Sequence, residues 1–244
     1  MGKVIVITGG GAGLGLAIAR RLARDGHRLF LLGRTLAKVQ AAAADIGGRT
    51  QGIACNVADP DAVDAAFAEV AKRVPRIDVL INNAGVFAPF FLEEATNAQI
   101  ADTLGTNLMG PMYCSRAALR MMDAGGQVFC IGSETVVVTA AMLGAYQTSK
   151  AGLERFCKTL DQEVGPRGIR VTLVRAGKMY GPDMSFSMDP DVARRFAEES
   201  LRLGVDNRKS ALTRYESVAE LFPALLDLPA DLAVPEITLA SRHA

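Results

Sequence analysis

The stretch KVIVITGGGAGLGLAIARRLARDG, residues 3–26, joins two different patterns across a run of glycines. KVIVIT is short, β-branched and continuously apolar, as a strand buried on both faces must be. From Leu14 onward, Ile18 and Leu22 repeat at helical spacing, and Asp25-Gly26 stops the pattern. Between the two, Gly9, Gly13 and Gly15 give G-x-x-x-G-x-G. Residues without a Cβ permit a tight turn and let a pyrophosphate approach the backbone. The helix that begins at once offers its free N–H groups and its positive end to the same anion. A strand before and a helix after are the context a loose glycine pattern needs. The spacing differs from G-x-G-x-x-G, and no Gly-Lys-Ser/Thr follows, so this is not a triphosphate loop. The reading makes Thr8, Gly9, Gly11, Gly13, Leu14 and Gly15 a dinucleotide cradle; a glycine turn without a ligand is the plain alternative.

The same alternation continues along the chain. Strand-like runs recur at 28–33, 49–57, 78–83, 126–132, 169–176 and 236–240, with alanine-rich stretches of helical period between them. Continuous apolar strands separated by helices predict an α/β fold. The expectation is a three-layer Rossmann fold, a doubly wound seven-stranded parallel sheet with helices on both faces. About six main helices and one domain spanning 1–244 fit the length of 244 residues. Residues 177–213 break the alternation, and a long segment there is expected to be a substrate lid.

The totals exclude several classes. Lys and Arg number 27 against 26 Asp and Glu, a net charge of +1, so no basic excess points to nucleic acid or an anionic membrane. Cys55, Cys114, Cys130 and Cys157 are widely spaced in apolar stretches, which reads as core thiols rather than a disulfide or zinc framework. With only His27 and His243 available, neither a histidine triad nor a histidine metal site is expected. No apolar run of about 20 residues exists, and the start lacks a leader pattern, so a cytoplasmic protein without a membrane span is expected.

Strand two ends in FLLGRT. Binders of the unphosphorylated dinucleotide place a carboxylate near this point for the ribose 2′-hydroxyl. Here Gly33 and Arg34 stand instead, and an arginine can clamp a 2′-phosphate. NADP(H) is therefore favoured over NAD(H). Ala12 adds no second cation from the glycine loop.

Tyr146 and Lys150, in AYQTSKAGLERF, are one helical turn apart. An ammonium beside a phenol favours the phenolate, so the phenol's pKa is expected to fall from about 10 toward neutrality. A phenol tuned so can exchange a proton at physiological pH. On its own the pair is also an ordinary surface pair. With TGGGAGLG, INNAGV at 81–86, TNLMG at 106–110 and the serine of IGSETV at 131–136, the motifs stand in order. Together they resemble the short-chain dehydrogenase/reductase family of the single-domain Tyr-x-x-x-Lys type, strongly over about residues 3–175.

The resemblance implies an oxidoreductase that moves a hydride between nicotinamide and a carbonyl/alcohol pair. In it Tyr146 is the general acid or base, and Lys150 tunes it and holds the nicotinamide ribose. Ser133 bonds the substrate oxygen. Asn107, within a long helix over 96–124 distorted near Gly105 and Gly110, anchors a water relay. Asn83, Ala84 and Gly85 support the adenosine ribose, Asn56 and Val57 the adenine, and Gly177 and Met179 the nicotinamide. Three positions depart from the family pattern: Asn56 stands for an aspartate, Ala176 for a proline, and Gly181 for a threonine that binds the cofactor. Ser185 or the backbone near Met179 is expected to substitute for that threonine.

Phe87, Phe90, Phe91, Thr135, Val136, Met142, Tyr180, Met184, Phe186 and Met188 fall in the loops that should face a substrate. They are mostly apolar, so a hydrophobic ketone, aldehyde or secondary alcohol is expected. A homodimer or homotetramer follows from the resemblance. Three alternatives keep the scaffold: an NAD(H)-dependent alcohol dehydrogenase, a dinucleotide sensor without turnover, and an epimerase or dehydratase.

Overall fold

In a computed structural model of the chain, residues 2–181, 188–206 and 210–242 are described. Seven parallel strands form one sheet: β1 Val4–Thr8, β2 Arg28–Gly33, β3 Thr50–Ala54, β4 Val79–Asn82, β5 Gln127–Ser133, β6 Arg170–Ala176 and, in register with β6, a short C-terminal strand Glu236–Thr238. Their order is β3-β2-β1-β4-β5-β6 followed by the C-terminal strand. The chain winds outward from β1 to β3, then returns to pair β4 on the other side of β1. Strand order therefore reverses between β1 and β4, and the crevice beyond their carboxyl ends is where such sheets bind ligands.

Helices α1 Gly13–Arg24 and α2 Leu36–Ile46 cover one face, and α3 Pro60–Ala71 covers the other. Side chains alternate across each strand. In β1, Ile5 and Ile7 face Leu14, Ile18 and Leu22, while Val6 faces Val63, Phe67 and Val70. The two cores lie on opposite sides of strands that are buried throughout, which is why the runs are continuously apolar. All four cysteines are buried with free thiols, in the core on the α3 side.

Three elements differ from the expectation. The single long helix is three pieces: α4 Asn97–Leu104, a π-helical turn Gly105–Met109, and α5 Gly110–Leu119. A capping box from Thr96 and Gln99 starts α4. The π turn carries Asn107, which is fully buried; such bulges are often functional. After α6 Gly144–Val164 and β6, the 177–213 segment adds a two-stranded parallel ribbon, β7 Met179–Tyr180 with β8 Thr213–Arg214. It also holds the helix α7 Pro190–Arg202. Beyond it, the last helical stretch is split into α8 Tyr215–Ala219 and α9 Leu221–Leu226. Pro223 has no N–H for the Ala219 carbonyl, so the first helix ends there. The C-terminal strand is β9 in chain order.

Candidate active site

A cavity of about 820 Å³ opens across the carboxyl ends of β1, β4, β5 and β6. Its floor is built at the switch point. Thr8 ends β1, and its Oγ1 accepts the N–H groups of Asn83 and Ala84, each at 3.0 Å. Asn83 Nδ2 donates to Thr8 O at 2.9 Å. These bonds hold the loop after β4 against the glycine loop. Thr8 itself is buried and does not reach the cavity; it supports the residues that do.

Gly9, Gly13 and Leu14 line the cavity, and Gly11 and Gly15 do not. Gly15 has a packing role. A Cβ there would lie 2.4 Å from Gly9 O and 2.5 Å from Asn83 Nδ2. Gly15→Ala is expected to cost about 1–3 kcal/mol through overpacking. Scanning calorimetry should show Tm lowered by roughly 2–4 °C per kcal/mol; an unchanged Tm refutes the packing role. The N-cap of α1, Ala12, makes no side-chain cap, and the first amide to bond back is Leu16 N–H to Ala12 O at 3.2 Å. The amides before it are the orphan donors of a helix start, and they adjoin the cavity.

At one end of the cavity stand Arg34 and Lys38, both exposed; among the described residues neither pairs with an acid. Lys38 lies one helical turn beyond Arg34. It supplies the second cation that Ala12 could not, and the sequence reading missed it for looking only in the glycine loop. Asn56 and Val57 are not on the lining. Asn56 Oδ1 accepts from Ala58 N–H at 3.3 Å, and Val57 is buried in the core. Neither side chain faces the cavity in this structure. β3 ends at Ala54, so both residues sit in the turn into α3.

The other end gathers Ser133, Tyr146, Lys150, Asn83, Ala84, Gly85, Gly177 and Met179 on one lining. Ser133 closes β5, while Tyr146 and Lys150 share the inner face of α6. Ser133 lies near enough to the Tyr146 phenol to favour its ionised form. Its Oγ also lies 2.9 Å from Thr135 Oγ1 and accepts Thr135 N–H at 3.2 Å. Thr135 was expected to face substrate; it holds Ser133 instead.

Lys150 corrects a second expectation. Its Nζ donates to Ile131 O at 2.8 Å, and its charge faces Cys130 and Cys157 rather than the phenol. Burial brings the ammonium down to about 8. Tyr146 accordingly moves the other way from the expected fall: burial raises its pKa, and the nearby Ser133 hydroxyl opposes this only in part.

Asn107 is off the lining, and both ends of its side-chain amide are hydrogen-bonded. Its Oδ1 accepts Val86 N–H at 2.8 Å, and its Nδ2 donates to Val86 O at 2.9 Å and to Ser149 Oγ at 3.2 Å. Ser149 Oγ donates to Tyr146 O at 2.6 Å. The π turn thus pins the loop after β4 to the helix that carries Tyr146.

The substrate-facing end is more polar than the sequence suggested. Phe87 and Met188 line it, with Gln99, Asp189 and Val192 beside them. Phe87 meets the Tyr146 ring edge to face at 5.0 Å and the Phe196 ring of α7 at 5.9 Å. Phe91 lies under the Arg195 guanidinium, which also makes a two-pronged pair with Glu94. Phe90 and Met142 are buried, Val136 is off the lining, and Tyr180 is exposed in β7. Met184, Ser185, Phe186 and His243 lie outside the described residues. Arg175 is engaged by Glu154 and Glu236. Among the described residues, no group of three or more His, Cys, Asp or Glu is placed to hold a metal ion. No helix among them is long and apolar enough to cross a membrane.

The arrangement fits a dinucleotide. Two free cations mark one end, an uncapped helix start the middle, and a phenol–serine–lysine group the other end of a single cavity. Comparison with known proteins agrees. The short chain dehydrogenase profile matches residues 3–193. A 3-oxoacyl-[acyl-carrier-protein] reductase of Bos taurus is 33% identical over 197 residues, 80% of this chain and 83% of that protein. Carbonyl reductase family member 4 of Danio rerio is 35% identical over the same coverage of 197 residues, 80% and 83%. Among solved structures, the alcohol dehydrogenase of the archaeon Thermococcus sibiricus, complexed with 5-hydroxy-NADP, superposes with a TM-score of 0.82. It is 26% identical, over 99% of this chain and 97% of that one. With the profile running from the first strand into α7, and the ordered motifs meeting in one cavity, the chain belongs to the short-chain dehydrogenase/reductase family and is an NAD(P)-dependent oxidoreductase.

Proposed function

We propose that the protein is an NADP(H)-dependent reductase of hydrophobic ketones or aldehydes, able to oxidise the matching secondary alcohols, with Tyr146 as the proton donor. The observation that carries this is the single cavity with Arg34 and Lys38 at one end and Ser133, Tyr146 and Lys150 at the other. When bound, the nicotinamide supplies or takes the hydride, and the chain's own residues do the rest. Gly9, Gly13 and Leu14 hold the phosphates at the start of α1. Lys150, beside Gly85, is the residue to hold the nicotinamide ribose, and Gly177 and Met179 close the far side. Ser133, fixed from behind by Thr135, has a proton to offer the substrate oxygen. Ser133 keeps that proton and donates only a hydrogen bond, Tyr146 transfers the one proton the alcohol needs, and the two donors together stabilise the developing alkoxide. Because burial holds the phenol above its ordinary pKa of 10, Tyr146 enters the reaction protonated at neutral pH.

Asn107 acts as a positioning residue here, because its side-chain amide ties Val86 to Ser149. The 177–213 segment serves as the lid. Its helix α7 rests on the loop after β4 through Phe196 and the Arg195–Glu94 pair, and it brings Val192 to the cavity. Phe87, Met188 and Val192 favour an apolar body on the substrate. A homodimer or homotetramer and a cytoplasmic location accompany the reading.

The test is a fluorescence titration of the purified protein with NADPH and with NADH. NADPH is expected to bind at least tenfold tighter, about 1.4 kcal/mol. Arg34→Ala should weaken NADPH by about tenfold or more and leave NADH within twofold, as loss of a charged hydrogen bond to phosphate requires. Equal binding of the two dinucleotides by the wild-type protein replaces this reading with an NAD(H)-dependent alcohol dehydrogenase. A panel of hydrophobic ketones and aldehydes, followed at the nicotinamide absorbance, then defines the substrate.

A further inference from the structure

The first residue of α8, Tyr215, lies on the cavity wall between two distant segments. A Cβ on Gly181 would lie 2.3 Å from Tyr215 Cδ2 and 2.8 Å from Cε2, so the ring fills the space that any other residue at 181 would need. Further along, the ring also reaches the glycine loop. A Cβ on Gly13 would lie 3.8 Å from Tyr215 Cε2 and Cζ, and 3.9 Å from the phenol oxygen. The hydroxyl therefore stands over the start of α1, whose N-cap supplies no side chain.

The ring is held firmly in this place. Thr213 N–H donates to Lys178 O at 3.0 Å, joining β8 to β7. Ser241 Oγ lies 2.8 Å from Thr213 Oγ1 and donates to Lys178 O at 2.8 Å. Behind the ring, Val218 and Ala219 pack in the same core as Leu14 and Ile18 of α1. In contrast, the Tyr215 hydroxyl makes no hydrogen bond among the described residues. A half-buried phenol usually finds a partner for its O–H. The residue lines the cavity, so its free O–H is open to a ligand seated beside the backbone donors of the glycine loop.

We propose that Tyr215 is a cofactor-binding residue whose hydroxyl donates a hydrogen bond to the nicotinamide-side phosphate of the dinucleotide. This rests on the dinucleotide reading above. It gives the phosphate site a donor from the far end of the chain, so that the β7–β8 ribbon and α8 become part of the cofactor site. The geometry also explains Gly181: the residue there has to be small because the phenol ring occupies its side-chain space.

The experiment compares wild-type protein with Tyr215→Phe, which keeps the ring and its packing on Gly181 and removes only the hydroxyl. Dissociation constants are measured for NADPH, and for adenosine 2′,5′-bisphosphate, which ends at the adenosine-side phosphate. Tyr215→Phe is expected to weaken NADPH by about tenfold, as loss of a charge-assisted hydrogen bond does. The bisphosphate should change by less than twofold, and Tm without ligand should stay unchanged. An unchanged NADPH constant overturns the assignment, and so does an equal loss for both ligands. Wild-type protein that binds neither NADPH nor NADH overturns the dinucleotide reading first, and this assignment with it.

Discussion

Tyr146→Phe is expected to lower kcat/KM for carbonyl reduction about 10³-fold while leaving NADPH binding within twofold. The size follows from what the variant removes. The phenol ring stays, and its edge-to-face contact with Phe87 at 5.0 Å stays with it. The hydroxyl that gives a proton to the substrate oxygen is lost, and general acid catalysis is worth roughly 10²–10⁴. A loss of 10³ is roughly 4 kcal/mol of transition-state stabilisation. Ser133 keeps its bonds to Thr135, so one of the two donors to the oxygen remains and the variant should retain a measurable rate. The two constants separate the roles. A change confined to kcat marks an interaction made in the transition state, whereas a change confined to KM marks ground-state binding. Steady-state kinetics on the best ketone from the panel decide it. Retention of kcat/KM within tenfold means that another group, or water, delivers the proton.

Much of this site could be read from the chain before any coordinates. The strands were legible because a sheet covered on both faces demands continuous apolar runs, and VIVIT, VLIN and VFCI leave no other reading. The glycine loop and the Tyr146–Lys150 pair were legible because each depends on residues close in sequence. What escaped depends on contacts between distant segments. Lys38 joins Arg34 only because α2 turns it toward the same cavity. Thr135 turns back onto Ser133, so a loop residue expected to face substrate became part of the machinery behind it. The gap at Gly181 was visible as a missing threonine, but its occupant comes from 34 residues further on, at Tyr215. The direction of the Tyr146 shift was misjudged for the same reason. An i, i+4 spacing places Lys150 on the right face, but only the fold shows its ammonium bound to Ile131 O and facing the Cys130 and Cys157 thiols.

That placement of Lys150 yields the second large effect, with two consequences of opposite sign. Lys150→Met keeps the length and apolar body of the side chain and removes its charge. The expected loss in kcat/KM is again about 10³-fold, since the variant loses both the ammonium that positions the nicotinamide ribose and a positive charge in the site. The wild-type profile should fall on the alkaline side as pH passes about 8, where the buried ammonium gives up its proton. The variant should lack that limb. Stability moves the other way. Burial lowers the folded-state pKa to about 8 from 10.5, so the folded protein disfavours the charged form. Below about pH 8 the full cost of burying the charge is present. Between about 8 and 10.5 the unfolded chain binds the extra proton, and stability rises with pH. Lys150→Met should therefore raise Tm most at pH 6–7 and progressively less toward pH 10. Losing the bond to Ile131 O offsets part of the gain, because that carbonyl is left without its donor. Thermal melts of both proteins across pH 6–10 read the effect directly. A Tm difference that does not vary with pH would mean the lysine is not charged at the expense of the fold, and that the alkaline limb belongs to another group.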